Sequence, residues 1–440
     1  MIKKFTKFCV TLVQKYLPDP YLFAVILTFI VFLLGLGIAK NSPLQMVLHW
    51  GNGFWSLLAF AMQMALVLVT GHTLASSPPF KKLLGAIAGA MKNPSQAIMT
   101  TVIVAIIASW VNWGFGLVIG ALLAKEMARK VKGLDYPLVI AAGYIGFMVW
   151  HAGFSGSIPL TIATAGHFLE GTIGIVPTSE TIFAMFNVIP IILLMITLPI
   201  LTKSMMPDDD KIIAIDPALL VDTEAAATLD KASMTPADRM ENSPILSWIT
   251  GLLGMVYIVW YFATKGFSLN LNIVNFLFLF LAILFHGTPR KFLDALTLAA
   301  KGTGGIILQF PFYAGIMGMM TQSGLAAIMS NWFVSISNPT TFPLFSFLSA
   351  GLVNLFVPSG GGQWAVQAPI MIPAGAELGV STAKTAMSIA WGDAWTNMIQ
   401  PFWALPALGI AGLNARDIMG YCVVAMLFGG VIIGLCLMFL

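Results

Sequence analysis

The chain has few charged residues for its length. Lys, Arg, Asp and Glu together make up 9% of its 440 residues, whereas about 25% is usual for a soluble domain. Hydrophobic residues make up 58%, against a usual value of roughly 45–50%. The composition therefore excludes an ordinary soluble domain and favours a protein embedded in a membrane.

The motifs of most enzyme classes are also missing. The three cysteines show no spacing typical of a metal site or a disulfide framework and stand at Cys9, Cys422 and Cys436. The sequence has no HExxH or GxSxG motif, and His151 near Ser155 is only a weak hint of a base beside a nucleophile. We therefore expect neither an enzyme nor a cofactor. Because the net charge of +4 is spread along the chain, we expect no nucleic-acid partner.

Long apolar runs fill most of the sequence. A run of about 18–22 residues can cross roughly 30 Å of hydrocarbon as a helix. Seven runs predict simple crossings, at residues 20–39, 54–77, 181–202, 245–264, 268–286, 303–323 and 418–440. Two longer runs, 137–166 and 384–412, contain Gly, Pro and polar residues and predict discontinuous crossings. The sequence thus predicts an all-α membrane protein with about nine crossings.

Two further segments, 97–124 and 342–374, each contain two apolar arms around a Gly-rich break. Arms of about 10–15 residues are too short to span, so both segments are predicted to be re-entrant hairpins. With a cytoplasmic N-terminus, every Lys and Arg except Lys40, Lys265 and Lys384 falls on the cytoplasmic side, as the positive-inside rule requires. In a bacterial inner membrane, this topology places the C-terminus on the periplasmic side.

Matched spacings predict an internal repeat. Asn354 follows Asn112 by 242 positions, and Pro401 follows Pro159 by the same distance. Each copy has the order helix, helix, hairpin, broken helix, helix. An odd number of crossings separates the start of the first copy from the start of the second, so the second copy is predicted to be inverted. Inverted repeats with broken helices are typical of secondary transporters, whereas a channel needs a continuous polar pore.

The repeat divides the chain into three segments. Residues 1–203 hold the first copy, which begins with an interfacial helix. Residues 204–244 form a polar cytoplasmic linker, and residues 245–440 hold an extra crossing helix and the second copy. Gln63 and Gln309, each in the helix before a hairpin, also correspond, 246 positions apart.

The hairpin tips and the helix breaks are the predicted substrate site. Non-helical backbone at membrane depth must be satisfied by protein, water or ligand, and glycine lets backbone amides approach a carboxylate. Alternatively, the glycines only form tight turns. The candidate substrate-binding residues are Asn112, Trp113, Gly114, Gly116, Ser155, Ser157, Asn354, Ser359, Gly360, Gly361, Gly362, Gln363, Asn397 and Gln400. With no Lys or Arg at the site, we expect a largely apolar ligand with one negative charge; a dicarboxylate is the alternative.

The ion-coupling candidates are polar residues inside predicted crossings, namely Asp393, His151, Gln63 and Gln309. Asp393 is the only acidic residue placed within a crossing, where ionisable groups often bind Na⁺ or carry H⁺. It could instead be a structural partner of His72 or His151, and the two glutamines could simply join helices. A Na⁺ ion near the hairpin tips is a further hypothesis. Six tryptophans could wall a pocket for a short apolar tail or belong to interface belts: Trp113, Trp150, Trp364, Trp391, Trp395 and Trp403.

Seven motifs are spread along the chain: Leu17-Pro18-Asp19-Pro20, Trp50-Gly51-Asn52-Gly53-Phe54-Trp55, Val111-Asn112-Trp113-Gly114-Phe115-Gly116, Gly153-Phe154-Ser155-Gly156-Ser157, Val357-Pro358-Ser359-Gly360-Gly361-Gly362, Gln400-Pro401-Phe402-Trp403-Ala404-Leu405-Pro406 and Arg416-Asp417-Ile418-Met419-Gly420-Tyr421. Together they resemble the short-chain fatty acid transporter family, within the ion transporter superfamily. The resemblance implies uptake of monocarboxylates such as butyrate or acetoacetate by proton or cation symport. It also implies a homodimer whose transport domain moves like an elevator against a scaffold.

The sequence departs from the superfamily at the hairpin tips. Other branches carry Ser-Asn-Thr at both tips, where carboxylate and Na⁺ bind. This chain has Asn112-Trp113-Gly114 and Ser359-Gly360-Gly361 instead. The resemblance therefore supports the substrate geometry and leaves H⁺ and Na⁺ as alternatives for the coupling ion.

Overall fold

The computed structural model describes residues 20–56, 58–163, 167, 169–216, 234–266, 271–355 and 360–440. Within these ranges the chain forms helices joined by loops, with no β-strand. Ser359, one of the predicted site residues, lies outside the described residues with the rest of the second hairpin tip, 356–359.

Twenty-one α-helices are assigned in the described ranges. Those of the first half are α1 (Pro20–Gly37), α2 (Pro43–Gly53), α3 (Leu58–Ala75), α4 (Pro78–Gly89), α5 (Pro94–Val111), α6 (Trp113–Lys130), α7 (Tyr136–Ile145), α8 (Ser157–Ile162), α9 (Glu170–Ile173) and α10 (Met185–Ser204). Those of the second half are α11 (Pro236–Glu241), α12 (Pro244–Lys265), α13 (Leu271–His286), α14 (Pro289–Ala300), α15 (Gly304–Gln322), α16 (Leu325–Ser335), α17 (Phe342–Asn354), α18 (Gly360–Glu377), α19 (Thr382–Thr396), α20 (Pro401–Ala411) and α21 (Ala415–Phe439).

Polar caps and prolines start many of these helices. Ser42 accepts a hydrogen bond from the Gln45 amide in a capping box at α2, and Asn93 accepts one from Gln96 at α5. Each cap satisfies one of the amides that the first turn leaves unpaired, and the proline that follows has no amide hydrogen to satisfy. These local residues therefore fix where α2 and α5 begin.

Each of the seven predicted simple crossings coincides with a helix: α1, α3, α10, α12, α13, α15 and α21. By length and composition, five helices among the described residues could cross a membrane, or six if one bent pair counts as a single span. The all-helical membrane fold is thus confirmed. The number of about nine crossings stays a prediction.

The arms of the first hairpin are longer than the sequence analysis predicted. Helices α5 and α6 each have 18 residues, and α5 alone is long and apolar enough to cross a membrane. The prediction of shorter arms was wrong. The last turns of α6 carry charged residues such as Arg129 and Lys130, so the apolar run in the sequence ends before the helix does. The arms of the second hairpin, α17 and α18, have 13 and 18 residues. Re-entry of either hairpin stays a prediction.

The order of the helices recurs in the second half. Helices α1 to α8 and α10 correspond in sequence to α13 to α20 and α21. For example, α4 begins at Pro78 and α16 at Leu325, 247 positions apart, and the starts of α6 and α18 are separated by the same 247. This order agrees with the predicted repeat and includes the short helices α2, α4, α14 and α16, which the sequence analysis missed. Inversion of the second copy stays a prediction.

The helices pack in two groups. The outer group contains α1, α2, α3 and α12 to α15, and the inner group contains α5 to α8, α10 and α17 to α21. In the outer group α2 crosses α15 so closely that a Cβ on Gly53 would lie 2.7 Å from the Ala314 carbonyl oxygen. In the inner group α6 meets α7, where a Cβ on Gly120 would lie 2.7 Å from the Gly143 carbonyl oxygen. Both helix breaks belong to the inner group.

Asp135 ties the linker to the start of α7. Its buried carboxylate accepts hydrogen bonds from the backbone amides of Leu138 (2.9 Å) and Ile213 (3.0 Å) and from the Tyr421 hydroxyl. The amide of Tyr136 donates to the Ile213 carbonyl at 2.8 Å. Burial raises the pKa of the Asp135 carboxyl, and the three hydrogen bonds act in the opposite direction.

Asp135→Ala is expected to lower the melting temperature of the purified protein. The substitution removes the N-cap of α7, worth about 1 kcal/mol, and leaves the Ile213 amide without its acceptor, at about 1–3 kcal/mol. Thermal unfolding in detergent measures the effect, with the exposed Asp210→Ala as the matched control. Equal melting temperatures for the two variants would contradict the anchoring role.

Candidate functional site

The candidate site lies where the two helix breaks meet. In the first copy α7 continues as a 3₁₀ segment, Gly146–Ala152, and the chain then extends to the start of α8. In the second copy α19 continues as the 3₁₀ segment Asn397–Ile399 before α20. Helix α19 packs against both the 3₁₀ segment of the first copy and α8. Helix interruptions thus lie inside both segments, 137–166 and 384–412, and their crossing of a membrane stays a prediction.

A histidine and an aspartate join the two copies at this point. Nδ1 of His151 lies 2.7 Å from Oδ2 of Asp393, and both side chains are fully buried. The Ile158 amide donates to Nε2 of His151 at 3.0 Å. Because Nε2 accepts a hydrogen bond, the ring hydrogen must be on Nδ1, which donates to the carboxylate. The imidazole is therefore neutral in this arrangement, and Oδ2 of Asp393 accepts its Nδ1–H.

The second oxygen of this carboxylate is unpaired. Oδ1 of Asp393 is buried and has no hydrogen-bond partner among the residues that the structure describes. The amide group of Asn354 donates to the Asp393 carbonyl (2.8 Å) and to the Thr396 hydroxyl (2.9 Å), which leaves Oδ1 of Asn354 unpaired in the same part of the chain. Buried acceptors without donors are costly. The described part of the site therefore places two buried acceptor oxygens, Oδ1 of Asp393 and Oδ1 of Asn354, without a donor from the described residues.

Amide side chains hold the second break in place. Oδ1 of Asn397 accepts a hydrogen bond from the Trp150 indole (2.8 Å), and its amide nitrogen donates to Gln400 (3.1 Å). The Tyr144 hydroxyl donates to the Asn397 carbonyl (2.6 Å), and Gln400 donates to the Asn354 carbonyl (2.5 Å). Asn397 and Gln400 thus link the break to α7 and α17.

Shorter links hold the first break and the tip of the first hairpin. Asn112 caps α6 by accepting the Phe115 amide (2.8 Å), and the Ser155 hydroxyl accepts the Trp113 amide (2.9 Å). A Cβ on Gly71 of α3 would lie 3.1 Å from the Gly114 carbonyl carbon, so the tip touches the outer group. Gly116 packs inside the hairpin against Ser109 of α5.

Two glycines of the second hairpin differ in their surroundings. A Cβ on Gly360 would lie 2.5 Å from Cε1 and 3.0 Å from Nε2 of His151, and 3.1 Å from Cβ of Ser157. A Cβ on Gly361 would meet no atom within 4 Å. The first residue of α18 therefore lies directly against the imidazole edge, which a larger residue would displace.

Gln363 lies one turn further along α18. Its amide nitrogen donates to the Ala350 carbonyl and to Gln367, both at 2.8 Å. Its Oε1 is buried and unpaired within the described part of the chain. Gly362 is also part of α18.

Aromatic rings pack beside His151. The Trp150 indole stacks on the imidazole with ring centroids 4.2 Å apart, and Phe147 stacks on Trp150 at 5.7 Å. Trp403 lies 5.4 Å from Trp113 and 5.9 Å from Trp150. These rings pack together as one aromatic wall beside His151. That Trp113, Trp150 and Trp403 line a pocket stays a prediction.

The remaining tryptophans lie elsewhere. Trp395 packs against Phe347 and donates to the Met426 carbonyl, whereas the Trp391 indole donates to Asn187 (2.9 Å). Trp364 is buried in α18, and its indole nitrogen has no partner among the described residues. The prediction of one pocket lined by all six rings stays untested.

The two glutamine candidates lie in the outer group. Gln309 is buried in α15. A Cβ on Gly305 would lie 3.6 Å from Nε2 of Gln309 and 2.5 Å from Cδ1 of Leu405. Gln63 belongs to α3, and its side chain lies outside the described residues. The structure brings His151, Asp393, Asn354, Gly360 and Ser157 together, and hydrogen bonds connect Asn397 and Gln400 to Asn354.

The sequence carries a signal for the pairing of His151 with Asp393 that a search for identical residues does not show. Asp393 follows His151 by 242 positions, the same offset as the Asn112 and Asn354 pair. The repeat was predicted only from identical residues, so a histidine matched to an aspartate was overlooked. Of the alternatives for Asp393, the structure supports contact with His151. The role of Ile158 could not be seen from the sequence because it acts through its backbone.

The fold and the site together define a multi-pass membrane protein with a polar cluster at two broken helices, a plan typical of secondary transporters. Residues 1–440 match the family model described as "Short chain fatty acid transporter". The chain belongs to this family. The predicted family is thereby confirmed, and a transporter rather than an enzyme is confirmed with it.

Two relatives cover nearly all of the chain. One from Escherichia coli is 47% identical over 432 residues, which is 98% of each chain, and one from Haemophilus influenzae is 46% identical over 436 residues, 97% of each. Both are provisionally named short-chain fatty acid transporter. Among solved structures, the YdaH transporter of Alcanivorax borkumensis is similar with a TM-score of 0.50 and 14% identity, over 96% of this chain and 97% of that one. At this identity the likeness shows the fold alone.

Proposed function

We propose that the protein imports short-chain monocarboxylates, of the butyrate and acetoacetate class, across the bacterial inner membrane by symport with H⁺ or Na⁺. The observation that carries this proposal is the buried His151 and Asp393 pair where the two helix breaks meet. A net negative charge at that depth is costly unless a cation or proton neutralises it. The names of the two relatives support the substrate class.

The charges around the breaks favour one negative charge on the substrate. Neither residues 146–162 nor residues 391–406 contain a Lys or Arg. A dicarboxylate would bring two negative charges towards Asp393 with no cationic side chain to balance them. The aromatic wall beside His151 suits a short apolar tail.

The two groups of helices support an elevator mechanism. Both breaks and both hairpins belong to the inner group, which we propose moves as the transport domain against the outer group as the scaffold. The repeated helix order supports two copies inverted in the membrane. We further propose a homodimer with cytoplasmic N-termini and periplasmic C-termini.

Uptake of radiolabelled butyrate and acetoacetate into proteoliposomes tests the proposal. An inward pH gradient and an inward Na⁺ gradient are imposed separately, and protein-free liposomes serve as the control. We expect one gradient to drive accumulation that unlabelled short-chain acids inhibit and succinate does not. Absence of uptake under both gradients, in liposomes that contain folded protein, would overturn the proposed function.

A further inference from the structure

We propose that the coupling ion is a proton and that Oδ1 of Asp393 is the atom that binds it, while His151 stays neutral and positions the carboxylate. This inference rests on the proposed function, because it assigns the coupling step of the same site. It depends on which atoms of the pair already have hydrogen-bond partners and which do not.

Both ring nitrogens of His151 are already used. Nδ1–H donates to Asp393, and Nε2 accepts the Ile158 amide at 3.0 Å. A proton on Nε2 would point at the amide hydrogen of Ile158, so the start of α8 would have to move away. The Gly360 backbone lies against the same edge of the ring, where even a Cβ would be 3.0 Å from Nε2. Protonation of His151 therefore breaks a hydrogen bond in a closely packed place.

Protonation of Asp393 breaks no hydrogen bond. Oδ1 has no partner among the described residues, and the bond from Nδ1–H to Oδ2 persists when the carboxyl is neutral. An Oδ1–H group also supplies a donor to a neighbourhood that has a surplus of acceptors. Asn354 shows this surplus, because its amide nitrogen is held by Asp393 and Thr396 and its Oδ1 is left unpaired.

No other charged group contacts Asp393 within the described residues. The elements packed against α19 are α8, α17, α18, α21 and the two 3₁₀ segments. Helices α8 and α17 carry no titratable side chain. The titratable groups on α19 itself and on the other elements are Lys384, His151, Glu377, Arg416, Asp417, Tyr421, Cys422 and Cys436. Only His151 is bonded to Asp393, and Lys384 lies about 13 Å away along the helix at about 1.5 Å per residue.

The charge balance couples the proton to the substrate. With Asp393 ionised, the empty site carries one negative charge, and a carboxylate substrate would add a second one nearby, which like-charge repulsion opposes. A proton from water on the entry side forms an O–H bond with Oδ1 of Asp393, and the site becomes neutral before the anion binds. On the other side the O–H bond breaks and the proton returns to water. One proton therefore moves with each monocarboxylate.

Two isosteric variants separate the roles of the pair. Asp393→Asn cannot take up the proton, so accumulation of butyrate driven by a pH gradient should fall at least about tenfold, and any butyrate exchange that remains should no longer depend on pH. In His151→Asn the side-chain amide replaces the Nδ1–H donor, so pH-driven accumulation should persist at a reduced rate. Loss of pH coupling in His151→Asn, with folding intact, would make the histidine the proton carrier and overturn the inference.

An infrared measurement gives a readout that does not depend on transport. Acidification of the purified protein should produce the carbonyl stretch of a buried protonated carboxyl in wild type and in His151→Asn, and the band should be missing in Asp393→Asn. Its presence in Asp393→Asn would overturn the assignment to Asp393. Uptake driven by Na⁺ alone would overturn the inference but leave the proposed function intact, whereas no uptake under either gradient would overturn the proposed function.

Discussion

Gly360→Ala is expected to reduce butyrate uptake by about tenfold or more, because the added methyl group overlaps the imidazole of His151. The Cβ would lie 2.5 Å from Cε1 of a ring that is bonded at both nitrogens and stacked on Trp150. Either the ring tilts and loses its bond to Asp393, or α18 moves away from α8. Overpacking of this kind costs about 1–3 kcal/mol. Initial uptake rates and melting temperatures measure both effects.

Two other glycines serve as controls for the added methyl group. Gly361→Ala, one position further along α18, adds a Cβ that meets no atom within 4 Å, so its melting temperature should stay near that of wild type. Gly409→Ala places the same methyl group in open space on α20, away from the pair. If Gly360→Ala matched both controls in stability and its uptake equalled that of wild type, close packing of the hairpin on His151 would be wrong.

The helices of this fold could largely be predicted because apolar length is a strong signal. Segments such as 245–264 and 418–440 were found within a few residues of α12 and α21. Helices α2, α4, α14 and α16 were missed because each has only 11 or 12 residues and α14 carries the charged residues Arg290, Lys291 and Asp294. Their starts are marked by local signals that hydropathy ignores, such as Pro43 after the Ser42 cap and Pro289 after the Thr288 cap.

The candidate site could be predicted as a set of residues but not as a set of contacts. Polar residues inside apolar segments, such as Asp393 and Asn397, stand out because their burial in a membrane is costly. Their partners are often backbone groups. The Ile158 amide donates to His151, and the Asp393 carbonyl accepts from Asn354. A sequence pattern carries no information on such partners. The distinction between Gly360 and Gly361 also depends on packing alone.

The predicted repeat would give the pairing of His151 with Asp393 a physical reason. Residues at equivalent positions of two symmetry-related copies lie at similar distances from the axis that relates them, so they meet when that distance is short. Ser155 and Asn397 are also 242 positions apart, and each holds its own break, one by accepting the Trp113 amide and the other by accepting the Trp150 indole. In the predicted repeat, equivalent positions thus carry different chemistry.

Swapping the two residues, His151→Asp together with Asp393→His, is expected to restore much of the stability that each single substitution removes. His151→Asp places two carboxylates together, and Asp393→His places two imidazoles together. Either single variant leaves a buried polar group without its partner, which costs about 1–3 kcal/mol and more where that group is charged. The double variant restores one imidazole and one carboxylate and conserves their combined volume. A double-mutant cycle on the free energy of unfolding should therefore give a large interaction energy, on the order of 3 kcal/mol.

Rescue should be partial because the surroundings of the two positions are not the same. The Ile158 amide donates to the ring of His151, but the equivalent amide, seven residues after Asp393, belongs to Gln400 and donates to the Asn397 carbonyl at 3.0 Å. An imidazole at position 393 therefore lacks an amide donor for its second ring nitrogen, a hydrogen bond worth about 1 kcal/mol. If the losses of the two single variants were simply additive in the double variant, the pair would not be energetically coupled. Partial rescue of folding without rescue of pH-driven uptake would instead show that the position of the carboxylate, rather than the presence of the pair, determines proton coupling.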